Sequence, residues 1–372
     1  MATPAEQSEL QWMSRALELA RQGTALASPN PLVGAVVVQH GKIIGEATHL
    51  YDEMKHAEVK ALEQAGGEAR GATLVLNLEP CCHHGRTPPC VEAIIAAGIK
   101  KVVAAMTDPN PVVGGKGFER LRQAGVEVET GGCREEAERL NESFVRFIRT
   151  GLPFVTLKAA LTLDGKIAAP DDNSGWITSD EARANVQQQR HAHDAILTGV
   201  GTIVADDPLL TDRSGLPRRR PLLRVVMDSR LRIPPTAKIL SKIDRDLLIF
   251  CTHAASDERR QELEERGAEV HVISSVGRPG LREAVENLGA RKITSVLLEA
   301  GPALNWSALE AGIVDKVFLY YAPKILCGLE ALPLAGGQGI RAVRDALSVE
   351  RIRLHRFGPD FAVEGYLRDV YT

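Results

Sequence analysis

Four residues in the first third of the chain have the types and spacing to do chemistry together: His56, Glu58 two positions on, Cys81 behind a proline, and Cys90. One imidazole and two thiolates make three protein ligands for zinc, and three rather than four leaves a tetrahedral position for water. Zinc held this way lowers the pKa of that water to about 7. Glu58 sits where zinc deaminases carry a carboxylate that moves protons without ligating the metal. The chemistry is attack of water on an amino-bearing carbon of a heterocycle, with loss of ammonia. His-x-Glu by itself would turn up by chance in many chains. Joined to Glu79-Pro80-Cys81 and a second cysteine at a helix start, it becomes specific.

Such ligands converge only if the elements beneath them do. Residues 72–78 form a short β-rich run, which puts Cys81 just past a strand end. Residues 91–97, led in by Pro88-Pro89 and closed by Gly98, read as a helix with Cys90 at its N-terminus. The helix dipole there favours the thiolate that zinc requires. His56 opens another helical run through Val59, Ala61 and Leu62, ended by Gly66-Gly67. Cys82 is expected to be a bystander, because neighbours in extended chain point to opposite sides. Cys133, Cys251 and Cys327 have no metal spacing and read as free thiols.

The chain has 372 residues, 44% hydrophobic and 25% charged, enough for two proper cores. A net charge of −3 argues against nucleic acid as a partner, since such domains carry a basic face. Residues 1–9 lack the apolar stretch of a signal peptide, and no apolar run is long enough to span a membrane. With six cysteines in no framework spacing, a cytoplasmic protein is expected.

The boundary is expected near Thr150-Gly151-Leu152-Pro153, giving domains 1–149 and 150–372. Before it, residues 135–148 place Ala137, Leu140, Phe144, Val145 and Ile148 at helical spacing. After it, strands are expected at 154–158, 195–198, 223–227, 247–250, 270–273 and 295–298, mostly with helical segments between. That alternation indicates a largely parallel α/β sheet. Arg218-Arg219-Arg220, between prolines, reads as a solvated loop. No G-x-G-x-x-G is present, and Gly199-Val200-Gly201 is weak as a nucleotide signal. Leu298-Glu299-Ala300-Gly301-Pro302-Ala303-Leu304 reads as strand, turn and helix start, whose amides could cradle a phosphate or could be a plain connection.

In the first half, His56-Ala57-Glu58-Val59 and the run Glu79-Pro80-Cys81-Cys82-His83-His84-Gly85-Arg86-Thr87-Pro88-Pro89-Cys90 resemble the deaminase part of the bifunctional riboflavin-biosynthesis family. Eight residues lie between the two cysteines, where other zinc deaminases have two. Ser28-Pro29-Asn30-Pro31-Leu32-Val33-Gly34 and Asp108-Pro109-Asn110-Pro111 extend the likeness. In the second half Lys158, the runs 162–168, 174–179 and 202–208, and Glu299-Ala300-Gly301-Pro302 occur in the order of that family's reductase. The resemblance implies a zinc-dependent cytidine-deaminase-like domain followed by a dihydrofolate-reductase-like α/β domain. The implied activities are diaminohydroxyphosphoribosylaminopyrimidine deaminase and 5-amino-6-(5-phosphoribosylamino)uracil reductase. One zinc per chain and NADPH are the implied cofactors.

Residue by residue, the resemblance puts Asn30, His83 and Arg86 at the deaminase substrate. The last two suit its phosphate, a solvated loop being the plainer alternative. Ala160, Trp176, Thr202, Asp206, Ser229 and the turn Gly301, Pro302, Ala303, Leu304 would meet NADPH, although Trp176 could instead be a core aromatic. Ser174, Arg190, Leu210, Arg213 and Glu299 would hold the reductase substrate, with the two arginines on its phosphate. Lys158 and Asp206 are the ionisable candidates for supplying a proton, a role a bound water would fill equally well. The expected partners are a small phosphorylated pyrimidine and further copies of the chain, with neither nucleic acid nor membrane. A nucleic-acid deaminase with an accessory domain would need an aromatic-lined basic groove, and aromatics are only 4%. A zinc staple beside a ligand sensor would need a fourth ligand and no Glu58.

Overall fold

The structure, a computed structural model, describes residues 4–171, 175–275, 277–278 and 280–371. The chain divides into two compact units, with the junction between Thr150 and Gly151.

In the first unit the elements run α1 (Pro4–Gln22), β1 (Gly34–Gln39), β2 (Lys42–Thr48), α2 (Ala57–Ala65), β3 (Thr73–Leu76), α3 (Cys90–Ala97), β4 (Lys101–Ala104), α4 (Lys116–Gln123), β5 (Glu127–Thr130) and α5 (Arg134–Thr150). The sheet order is β2-β1-β3-β4-β5, antiparallel at β2–β1 and β1–β3 and parallel from β3 to β5. Buried on both faces, β1 is a continuous apolar run rather than an alternating one. Two glycines set how closely the helices lie on this sheet. A Cβ on Gly34 would fall 2.0 Å from Ala16 O of α1, and one on Gly45 would fall 2.2 Å from Ala61 O of α2. Gly34 and Gly45 sit on opposite faces, so α1 and α2 sandwich the sheet. The close seat of α2 matters most, because its first turn carries Glu58.

The second unit contains β6 (Phe154–Thr162), β7 (Lys166–Ala168), α6 (Asp180–Ala192), β8 (Ala195–Gly199), α7 (Val200–Asp206), β9 (Leu223–Met227), β10 (Leu247–Cys251), α8 (Asp257–Glu265), β11 (Glu269–Val272), α9 (Leu281–Ala290), β12 (Ser295–Leu298), α10 (Pro302–Glu310), β13 (Lys316–Ala322), β14 (Leu332–Pro333), β15 (Glu350–Phe357) and β16 (Asp360–Tyr366). Its main sheet has the order β11-β10-β9-β8-β12-β6-β13-β16-β15. It is parallel from β11 to β13, as the alternation of strands and helices indicates, and β16 and β15 extend it antiparallel. Val155, Leu157, Leu197, Val225, Leu248, Val296 and Leu298 build the core under α9 and α10.

The solvated-loop reading of the arginine cluster is corrected here. Arg218 Nη1 donates to the carbonyls of Arg190 and His191 at 3.1 and 3.0 Å, and Nη2 to that of His193 at 2.7 Å. The last carbonyls of a helix have no partner within it, and Arg218 supplies donors to the end of α6. Arg220 Nη2 donates to Lys292 O at 2.9 Å. Among the described residues no helix is long and apolar enough to cross a membrane.

Candidate active sites

In the first unit the connections after β2 and β3 deliver the chemistry. His56 is the residue before α2, in extended conformation, so its ring lies at the helix mouth. Cys81 follows β3, and Cys90 is the first residue of α3 and fully buried. His56 Nδ1 lies 3.1 Å from Cys90 Sγ and 3.4 Å from Cys81 Sγ, and the three ligand atoms all fall within 4.8 Å of one another. A tetrahedral zinc with ordinary Zn–N and Zn–S bonds sets N···S near 3.5 Å, so the donor set fits that ion. Among the described residues no fourth histidine, cysteine or carboxylate joins this cluster. Three protein ligands are what a site needs if it is to keep a position for water.

The electrostatics suit a metal and a proton carrier. A hydrogen bond from Cys90 is the main influence drawing the Cys81 thiol down to about 4, and the Cys90 backbone N–H donates to Cys81 Sγ at 3.3 Å. Glu58 is 4% exposed, and burial pushes its carboxyl above the ordinary range, with the neighbouring Cys81 charge adding to the rise. A carboxyl held up in this way accepts and releases protons nearer neutrality than a solvated one.

Asn30 Nδ2 lies 3.0 Å from His49 Nε2, and the His49 ring meets the His56 ring edge-on at 5.1 Å. Burial keeps His49 neutral, with its pKa down at about 4. Nothing in the residues around His49 singled it out in the sequence. His83 and Arg86 are exposed on the loop before α3, and the Arg86 guanidinium stacks on the Tyr51 ring at 3.9 Å. Cys82 is half-buried and outside the ligand cluster. Glu79 is a loop anchor rather than a ligand. Its Oε2 accepts from the N–H groups of Asp108 and Gly115, both at 2.9 Å, and its Oε1 from Gly117 and Phe118 at 2.8 and 3.3 Å.

In the second unit the candidate residues gather where parallel strands end, which is where open α/β sheets bind ligands. Leu298 pairs with Leu157, so Lys158 of β6 and Glu299 just past β12 are neighbours, with Lys158 Nζ 3.4 Å from Glu299 Oε2. Arg190 of α6 grips the same carboxylate with two bonds, Nε to Oε1 at 2.8 Å and Nη2 to Oε2 at 3.0 Å. Its remaining Nη1 donates to Thr211 O at 3.2 Å. Burial alone would raise the Glu299 carboxyl, but the Lys158 and Arg190 cations outweigh it and hold the group down to about 2. Arg190 is thus committed to Glu299, whereas Arg213 is exposed.

Of the other candidates, Ala160 follows Lys158 on the same face of β6, Thr202 and Asp206 lie on α7, and Ser229 lies two residues past β9. Desolvation raises the Asp206 carboxyl. Gly301 is the residue before α10, and a Cβ built on it meets nothing within 4 Å, so the space at this helix start is open. Pro302 has no N–H to offer, leaving Gly301, Ala303 and Leu304 as the amide donors of the turn. The Leu304 side chain itself packs on the core. Trp176 is 69% exposed, which removes the core-aromatic alternative, and the Arg183 guanidinium stands 4.9 Å from its ring centre. Leu210 is buried in the cluster with Ile196 and Val226, so only its backbone could face a ligand. Ser174 lies outside the described residues.

Comparison with known proteins adds independent findings. Residues 6–106 match the cytidine and deoxycytidylate deaminase zinc-binding region, and residues 153–363 match the RibD C-terminal domain. The riboflavin biosynthesis protein RibD of Bacillus amyloliquefaciens is 43% identical over 96% of both chains. That of Escherichia coli K12 is 41% identical over 94% of this chain and 96% of its own. The solved structure of Acinetobacter baumannii RibD superposes with a TM-score of 0.85 at 38% identity, covering 97% of this chain and 99% of that one. A diaminohydroxyphosphoribosylaminopyrimidine deaminase/5-amino-6-(5-phosphoribosylamino)uracil reductase from Thermotoga maritima does so at 0.83 and 35%, with the same coverage.

Proposed function

The chain belongs to the RibD family of riboflavin-biosynthesis enzymes, and from that premise we propose which of its residues carry the two reactions. It is a bifunctional enzyme, a diaminohydroxyphosphoribosylaminopyrimidine deaminase joined to a 5-amino-6-(5-phosphoribosylamino)uracil reductase. The observation that carries the site assignment is the convergence of one imidazole nitrogen and two thiols beside a buried carboxyl.

In the deaminase, His56, Cys81 and Cys90 hold one zinc per chain. When bound, zinc supplies Lewis acidity and an activated water at neutral pH. Glu58 takes a proton at its carboxylate from the attacking water and delivers it to the departing amine nitrogen. Burial suits it to this shuttle, since a carboxyl raised toward neutrality is both an adequate base and an adequate acid. Asn30, braced by His49, orients the pyrimidine, and His83 and Arg86 on their exposed loop meet its phosphate.

In the reductase the cofactor is NADPH, which when bound supplies the hydride. The amides of Gly301, Ala303 and Leu304 cradle its phosphates at the open start of α10. Ala160, Trp176, Thr202 and Ser229 line its course, and Ser229 with Arg230 accounts for the extra phosphate. Glu299, fixed as an anion by Lys158 and Arg190, accepts hydrogen bonds from the substrate. Ser174, Leu210 and Arg213 complete its binding, and Lys158 and Asp206 hold the proton that the reduction consumes.

We also assign the chain to the cytoplasm, where its free cysteines remain reduced, and to a homo-oligomer. Helix α6 covers one face of the β13–β16–β15 end of the sheet. On the same end Ile352 and Leu354 are 57% and 71% exposed, a surface that a second copy would cover and that light scattering would test. The enzymatic reading is tested by giving the purified protein the diamino pyrimidinone ribosyl phosphate and following ammonia release, then NADPH oxidation. Ammonia release that survives complete zinc removal would overturn the deaminase assignment. Oxidation of NADH but not NADPH would overturn the cofactor assignment.

A further inference from the structure

The eight residues between Cys81 and Cys90 do more than present His83 and Arg86 to solvent. Within them Thr87 is half-buried, and its Oγ1 lies 3.1 Å from His56 Nε2. That is the ring nitrogen turned away from the sulfurs, since Nδ1 is the one that faces both. An imidazole that gives its Nδ1 lone pair to a metal carries its proton on Nε2, and that N–H needs an acceptor to fix tautomer and ring tilt. The loop is braced so that the hydroxyl stays in place. Gly85 N donates to Thr87 O at 3.2 Å, Arg86 Nη2 contacts Met54 Sδ at 2.8 Å, and Pro89 is buried at the entry to α3. His49 packs edge-on against the same ring, so the imidazole is held by packing and by a hydrogen bond.

We propose that Thr87 is a positioning residue for the metal: its hydroxyl oxygen accepts the His56 Nε2 proton and thereby aims Nδ1 at the point between Cys81 and Cys90. This rests on the zinc reading above and gives the long spacing between the two cysteines a second purpose.

The test measures zinc affinity in the full-length protein by competition with a chromogenic chelator, and records the visible spectrum of the cobalt-substituted form. Thr87→Val keeps the shape and removes the acceptor, and zinc affinity should fall about 10–100-fold, the usual reach of a hydrogen-bond partner behind a metal ligand. Thr87→Ala, which cannot crowd the loop, should fall by a similar factor. Thr87→Ser keeps the oxygen and should stay within about threefold of the parent, with the cobalt bands of the parent restored. Zinc affinity of Thr87→Val and Thr87→Ala within twofold of the parent would overturn the proposal, and so would equal losses in the serine and valine variants. A parent protein that binds no zinc would instead sink the metal reading itself, so the two failures are distinguishable.

Discussion

Glu299 offers a perturbation whose size follows from its surroundings. Its carboxyl is held at about 2, against an ordinary value of 4.5, because Lys158 and Arg190 outweigh the cost of burying it. A carboxyl whose folded pKa is depressed stabilises the fold above its unfolded pKa, and that stability is lost as pH falls toward the folded value. The gap is worth about 3 kcal/mol at neutral pH and about 1 kcal/mol at pH 3. Glu299→Gln removes the charge and leaves two largely buried cations facing an amide, so the second unit should lose roughly 3–5 kcal/mol at neutral pH. The penalty should then shrink by about 2 kcal/mol between pH 7 and pH 3, because over that interval the parent loses what the variant never had. Urea titrations at several pH values would measure this, read by pulsed hydrogen exchange of peptides covering Phe154–Thr162 and Ser295–Leu298, the buried strands beside the triad. A difference between parent and variant that stays flat from pH 7 to pH 3 would refute the reasoning, since it would mean that Glu299 does not titrate with a depressed pKa.

Glu58→Gln should keep its zinc by elemental analysis while ammonia release falls by roughly two to four powers of ten, and reduction of the already deaminated substrate should be unchanged. Glu79→Gln should behave oppositely. It places an amide N–H₂ against two of the four backbone N–H groups that Glu79 now accepts, which costs about 3 kcal/mol of first-unit stability and shows as an earlier urea midpoint for zinc release. Gly301→Val should fold normally, because its φ of −78° is ordinary and a Cβ there meets no protein atom. NADPH titration should nonetheless show at least about tenfold weaker binding, as the side chain fills the space before the helix amides. An unchanged Kd would move the cofactor phosphates elsewhere.

What could be read from the chain was whatever announces itself locally. The strands at β6, β8, β9, β10 and β12 are short apolar runs because the sheet buries them on both faces, and glycines or prolines punctuate many of them. The residues proposed to hold zinc stand out for the same reason, each marking an element end: His56 before α2, Cys81 after β3, Cys90 opening α3. Strand β15 announces nothing. Arginines alternate along it with exposed Ile352 and Leu354, so no single buried face shows in its composition.

Roles set by distant partners were the ones that stayed hidden. Glu79 stood in the zinc motif, yet its four hydrogen bonds reach residues 29 to 39 positions away, and no local pattern separates it from a ligand or a proton carrier. Burial separates the two glutamates only with their partners. Glu58 is buried with its carboxyl raised, the condition of a group that must change protonation. Glu79 is buried with every oxygen lone pair directed at a backbone N–H, the condition of a group that must not move. The same distinction divides the arginines. Arg190 and Arg213 both suited a phosphate by type, but Arg190 spends two of its bonds on a carboxylate 109 positions away. In the proposed assignment Arg190 therefore acts through Glu299, whose charge and orientation it holds, and the exposed Arg213 is the one proposed to meet the phosphate.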